Sequence, residues 1–161
     1  MPATPLSLKG RALRLLAQRE HSRGELMVKL ARHVQEGEDL PALLDLLQQR
    51  GFIDEARVAE SVLHRRAPLL GAQRVLQELR RKGLPEPLLR SSAETLAQTE
   101  LQRAQAVWQR RFGGAAPPAT PRERARQMRF LASRGFGTEV IRRVLRGQAQ
   151  GGADFSPGPG P

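Results

Sequence analysis

The sequence predicts an all-α protein of tandem three-helix repeats, about nine helices in an elongated curved stack. Three observations predict it. Apolar residues recur at helical spacing along nearly the whole chain, with no run of strict alternation. Ser22 with Glu25, and Thr120 with Glu123, have the spacing of a capping box, which marks where helices start. The stretches "RRKGL", ending at Leu84, and "ASRGF", ending at Phe136, both place a basic residue, a glycine and a large apolar residue at the close of a helical pattern.

Taken in order, Ala12, Leu13 and Leu16 carry a first helix that ends near "REHS". The Ser22 box starts a second, with Leu26, Leu30 and Val34 inward. After "QEGED", Leu40, Leu43, Leu44 and Leu47 form a third that stops at Gly51. Asp54 caps the next, which buries Val58, Ala59, Val62 and Leu63 and ends at Pro68. From Gly71, a helix with Ala72, Val75, Leu76 and Leu79 inward runs to Gly83. Pro85 and Pro87 suit a first helical turn and open a sixth helix containing Leu89, Ala93 and Leu96.

The pattern lapses and resumes with Leu101, Ala104, Val107 and Trp108, a seventh helix whose Trp108 fits its buried face. "GGAAPPATP" is a loop by composition. Thr120, Pro121 and Glu123 start a helix with Ala125, Met128, Leu131 and Ala132 inward, closed by Gly135. A last helix from Thr138 buries Val140, Ile141, Val144 and Leu145. Grouped in threes, these give units of roughly fifty residues. The expected domains are a flexible N-terminus over 1–9, repeats over 10–53, 54–98 and 99–146, and a disordered Gly/Pro-rich tail over 147–161.

A glycine just past a helix adopts the left-handed conformation that reverses the chain, and the apolar residue after it packs back on the last turn. Gly83 with Leu84 and Gly135 with Phe136 fit that device. Arg81, Lys82 and Arg134 precede them, where the helix dipole favours positive charge.

With 27 Lys plus Arg against 16 Asp plus Glu, the formal charge of +11 favours a polyanionic partner. Nearly all of it is Arg, since the lysines are Lys9, Lys29 and Lys82. No Tyr and one Trp supply little for stacking single-stranded bases. Zero Cys excludes disulfides and thiolate metal sites and permits a reducing cytoplasm. No segment has the length and apolarity of a membrane span.

No catalytic constellation emerges, and the expectation is a protein that is not an enzyme and carries no cofactor or metal. His21, His33 and His64 lack metal-ligand spacing, and there is no phosphate loop or nucleophile elbow. What stands out is the placement of arginines. At 100° per residue, Arg122, Arg126 and Arg129 form one stripe, and Arg142, Arg143 and Arg146 share a face opposite Ile141 and Val144. Arg74 and Arg81 lie opposite Ala72, Val75 and Leu79. Such stripes suit phosphates or an acidic protein surface.

Three blocks, in order, resemble the RecX regulatory proteins: "ALRLLAQREHSRGELMVKL" over 12–30, "ARVAESVLHRRAPLLGAQRVLQELRRKGL" over 56–84, and "FLASRGFGTEVIRRVL" over 130–145. The resemblance spans about residues 10 to 146 and departs at Pro68–Leu70 and at "HVQEGED", where the first repeat lacks the basic-Gly-apolar stop. Positions matching the family pattern are Arg66, Gly71, Arg74, Glu78, Leu79, Lys82 and Gly83, then Arg134, Gly135, Phe136, Ile141 and Arg142.

The resemblance implies three-helix repeats and control of the RecA recombinase. Such a protein binds the RecA filament on DNA and modulates, chiefly by inhibition, its ATPase, its extension and strand exchange. The expected partners are RecA and the DNA phosphate backbone, with a cytoplasmic monomer. The candidate contacts are Arg66, Arg74, Arg81, Lys82, Arg126, Arg129, Arg142 and Arg143. The alternatives are a sequence-specific helix-turn-helix protein, with "TEVIRRVLRG" as the recognition helix, and an all-helical adaptor whose charge is incidental.

Overall fold

The computed structural model describes residues 3–114 and 117–151, with side chains through residue 149. Its elements are α1 Leu8–Gln18, α2 Arg23–Leu30, a short 3-10 turn Ala31–His33, α3 Leu40–Gln49, α4 Glu55–Arg66, α5 Ala72–Arg81, α6 Glu86–Phe112, α7 Pro121–Ser133 and α8 Thr138–Gly151. Among the described residues there is no strand, and no helix is long and apolar enough to cross a membrane. The chain divides into two compact units, Met1–Leu63 with Glu78–Ser92, and His64–Gln77 with Ala93–Pro161.

In the first unit, short-range chemistry sets the helix starts. Ser7 accepts from the Gly10 N–H and begins α1, so helix already covers part of the stretch expected to be flexible. Ser22 and Glu25 form the capping box of α2, each side chain accepting from the other residue's backbone N–H. Asp39 caps α3 through the Ala42 N–H, with Pro41 in the first turn, where its missing donor costs nothing. The core joins Leu8, Ala12, Leu26, Leu30, Leu40, Leu44, Leu47 and Ile53, while Leu13 and Leu16 are half-buried against it. Val34, expected inward, is exposed. It follows the 3-10 turn in extended backbone, so the 100° phase that pointed it inward no longer holds.

The glycine stops are Schellman caps. The Leu84 N–H donates to the Leu79 carbonyl and the Gly83 N–H to that of Arg80, with Gly83 at φ 74°. Gly51, at φ 77°, closes α3 in the same way, with the Phe52 N–H on Leu47 O. Leu84 is buried, whereas Phe52 is 48% exposed and Ile53 beyond it fills the core instead. The N-terminus of α2 seats on the Gly83 turn. Ser22 Oγ donates to the Lys82 carbonyl, and a Cβ on Gly24 would lie 3.0 Å from that same oxygen.

In the second unit, Ala104, Val107, Trp108, Leu131, Phe136, Ile141, Val144 and Leu145 form the core. Trp108 Nε1–H donates to Gln127 Oε1 at 2.9 Å, which explains why a glutamine is buried on α7. Gln127 and Leu131 mark the inward line of that helix. Ala132, 100° from Leu131, is exposed rather than buried as expected, and Ala125 and Met128 are half-buried. Thr120 and Glu123 form the predicted capping box. At the far end of α7, Phe136 N–H donates to Leu131 O and Gly135 has φ 94°, a second buried Schellman cap.

Two expected helices are one. No Gly or Pro separates Pro87 from Gly113, so nothing ends α6, and the lapse at Ala97–Thr99 is exposed helix surface rather than a break. Helix α8 continues through Gly147 to Gly151, into the stretch expected to be tail. The remaining part of that expectation, residues 152–161, lies outside the described residues.

Candidate functional site

The second unit holds two basic faces. On α7, Arg122, Arg126 and Arg129 are exposed on the side away from Leu131. Neither Arg126 nor Arg129 meets a carboxylate among the described residues. On α8, the buried residues Ile141, Val144 and Leu145 turn Arg142, Arg143 and Arg146 to solvent. Glu139 lies 3.2 Å from Arg146 and 4.0 Å from Arg142, so it offsets part of their charge. Arg143 has no such neighbour among the described residues. Unpaired guanidiniums on a rigid helix face suit phosphate or carboxylate oxygens, which they bind in a bidentate fork.

Other arginines of this unit hold the backbone. Arg103, half-buried on α6, donates Nη1 to the carbonyls of Ala67 and Leu70, Nη2 to Leu96 O and Nε to Thr99 Oγ1. Burial pushes its pKa down and Glu100 pulls the other way. Arg110 Nη2 donates to Pro68 O. Together the two arginines hold the strap between α4 and α5 by its carbonyls. That strap delivers Gly71 to the α7 cap, where the Gly71 N–H donates to Arg134 O at 2.8 Å and the Gln73 N–H to Gly135 O at 3.2 Å. Helix α5 thus seats its unpaired N-terminal donors on the carbonyls at the end of α7. Arg74 lies over the same turn, with Nη1 donating to Ser133 O at 3.1 Å, and Arg66 is exposed at the end of α4.

In the first unit, Arg81 is exposed with no ion pair among the described residues. Its neighbour Lys82 is engaged. Lys82 Nζ lies 3.0 Å from Glu25 Oε1, at side-chain exposures of 14% and 13%. Burial raises the Glu25 pKa, but hydrogen bonds from Arg19, the Ser22 N–H and Lys82 outweigh it and hold the carboxyl at about 2. His21 is buried beside this cluster. Burial lowers its pKa, so the ring is neutral and Nε2 accepts from Lys29 Nζ at 3.1 Å, leaving Nδ1–H to donate to Arg19 O.

Comparison with known proteins places this geometry in a family. Residues 98–145 match the family model described as RecX, third three-helix domain. A regulatory protein RecX from Leptothrix cholodnii is 55% identical over 141 residues, 88% of each chain. The chain belongs to the RecX family. A regulatory protein RecX from Ralstonia nicotianae is 46% identical over 147 residues, 91% of each chain. The crystal structure of RecX from Lactobacillus salivarius superposes with a TM-score of 0.77 over 89% of this chain and 95% of that one. At 14% identity, that match speaks for the fold.

Of the predicted contact residues, the RecX fold turns Arg126, Arg129, Arg142 and Arg143 outward on α7 and α8. It engages Lys82 with Glu25 and lays Arg74 along the Gly135 turn. Sequence reasoning found Glu25 as a capping residue but missed its pairing with Lys82, and it missed Arg103, Arg110 and Gly24 as organising residues. The glycine echo was a usable signal for Gly24, because a helix start that seats on a glycine turn needs a residue without a side chain. Nothing local marks Arg103, whose acceptors come from the α4–α5 strap.

Proposed function

We propose that this RecX-family regulatory protein is not an enzyme but binds the RecA filament on DNA and restrains its ATP hydrolysis, extension and strand exchange during recombination and repair. It acts as a cytoplasmic monomer without a cofactor, built of repeats over 10–53, 54–98 and 99–146. The family model over 98–145 supports the last of these. The observation that carries the reading is the set of arginines facing solvent opposite a core, with Arg126, Arg129 and Arg143 free of carboxylate partners among the described residues. They and Arg142 are the favoured contacts for DNA phosphates and acidic protein surface, with Arg81 and Arg66 as further contacts. Arg74 and Lys82 contribute by holding their turns. A filament's subunits change contacts with nucleotide state, so a ligand that binds one arrangement better shifts the population toward it and slows turnover.

The helix-turn-helix alternative has less support. Among the described side chains, the exposed face of α8 offers Arg142, Arg143, Arg146 and Glu139 without the Asn or Gln that reads adenine, and Gln148 is half-buried.

Titration into RecA, single-stranded DNA and ATP tests the proposal. Hydrolysis slows and filaments shorten if it holds, and unchanged hydrolysis and length at saturation sink it. A folded Arg142→Ala, Arg143→Ala double variant that acts like the parent removes those two arginines.

A further inference from the structure

A groove of about 580 Å³ opens in the first unit between α1 and the α2 end with its 3-10 turn. Its aliphatic lining is Leu15, Leu30 and two residues open to solvent, Val28 at 78% and Leu6 at 46% exposure. Four permanent cations line it, Arg11, Arg14, Lys29 and Arg32. No carboxylate lines it, and none of the four meets one among the described residues. Lys29 contacts the neutral His21 ring and Arg32 Nε the ring of His33. Glu38 lines an adjoining recess, where it accepts from the Gln35 N–H, and Glu25, one turn before Lys29 on α2, is engaged by Arg19 and Lys82.

Four cations with no carboxylate partner among the described residues concentrate positive charge around these aliphatic side chains. Loss of water around the His33 ring, then the charges of Arg11 and Arg32, push its pKa down.

The volume is that of an ordinary ligand cleft and accommodates a few side chains. Nucleic acid would use the cations but gain nothing from Val28 and Leu6, and apart from the His33 imidazole the lining offers no aromatic face on which a base could stack. We infer that this groove is a docking site for an acidic peptide segment of a protein partner, with one or two Leu- or Ile-like anchors against Val28, Leu15 and Leu6 and flanking Asp or Glu carboxylates on Arg11, Arg14, Lys29 and Arg32. Apolar anchors in a cleft supply the affinity, and the charged rim supplies the encounter rate and the choice of partner.

This site is separate from the arginines of α7 and α8, so its test is independent of any effect on RecA. The probe is a short fluorescent peptide with two leucines at helical spacing among glutamates, titrated into the full chain and followed by anisotropy and by amide shifts at Leu15 and Val28. Controls replace its leucines by serine, or its glutamates by lysine. Either control is expected to bind about tenfold or more weakly, as is the original peptide to the Val28→Asp or the Arg11→Ala, Arg14→Ala variants. Circular dichroism and melting verify that each variant is folded, and all three residues are solvent-facing enough for at least one to pass. The proposal is overturned if the leucine-free peptide binds equally well, if a folded variant retains full affinity, or if shifts appear elsewhere. It is likewise overturned if oligo-dT competes for the groove with equal affinity and loses it in the same variants, which would make this a nucleic-acid site.

Discussion

Gly71 and Gly135 meet backbone to backbone, so closely that a Cβ on Gly71 would fall 2.3 Å from the Gly135 carbonyl carbon and oxygen. The first unit repeats the arrangement with Gly24 against the Gly83 turn, at a looser 3.0 Å from Lys82 O. In both, a helix start seats on a Schellman turn: the turn glycine is favoured by its positive φ, and the glycine at the helix start by the closeness of the turn's backbone. Gly37, in the "HVQEGED" stretch that lacks the basic-Gly-apolar stop, has nothing within 4 Å of a Cβ, so no helix start seats there.

This ordering predicts graded glycine variants. Gly71→Ala is expected to destabilise by about 3 kcal/mol or more, because backbone must separate. Gly24→Ala costs less, about 1–2 kcal/mol, and Gly37→Ala about 1 kcal/mol from its φ of 84° alone. Urea unfolding of the three variants measures the order, and an equal loss in all three contradicts it.

The Glu25 cluster predicts acid sensitivity in a defined window. Its carboxyl ionises at about 2 in the folded chain against an ordinary 4.5, so its contribution is complete above pH 4.5 and is lost as pH falls toward 2. The amount is about 3 kcal/mol. His21 acts in the same direction at higher pH. Its folded pKa is lowered, the unfolded chain takes up the proton first, and stability declines as pH falls below 6.5. Urea midpoints across pH measure both, and Glu25→Gln is expected to flatten the lower limb while leaving the upper one.

Arg103→Met is expected to cost about 1–3 kcal/mol, because it strips donors from the half-buried carbonyls of Ala67, Leu70 and Leu96. Arg103→Lys recovers little, since one ammonium cannot reproduce the planar fork. Hydrogen exchange at the Gly71 and Gln73 amides reads the effect directly. Unaltered protection in Arg103→Met would show that the strap holds without the clamp.

Arg126→Ala with Arg129→Ala is expected to weaken binding to any single-stranded DNA sequence alike. If each arginine neutralises one phosphate, the slope of log K against log salt becomes shallower by about 1.4. Anisotropy titrations over a salt series check this, and a loss confined to one DNA sequence would point to base reading instead.

What the sequence by itself determined is the chemistry that acts over a few residues. The Ser22–Glu25 and Thr120–Glu123 boxes, the reversals at Gly83 and Gly135, and the inward faces of α3, α5 and α8 all depend on residues one to five positions apart, so spacing exposes them. Outward arginines on α7 and α8 follow from the same periodicity. Even within that range, an exposed stretch of α6 passes for a break, because a lapse in apolar spacing and a helix end look alike when no Gly or Pro decides between them.

Only the tertiary structure decided which residues are available for partners. Lys82 and Arg81 are neighbours with the same local signal, yet Lys82 meets a glutamate 57 residues away and Arg81 meets none among the described residues. Arg103 carries no local signal, and its role comes from the carbonyls of the α4–α5 strap that it meets. Gly71 marks only the start of a helix until it closes on Gly135. The physical reason is common to all three: a charge or a missing side chain acquires its role from the groups it meets, and those come from remote segments whose approach no local spacing encodes.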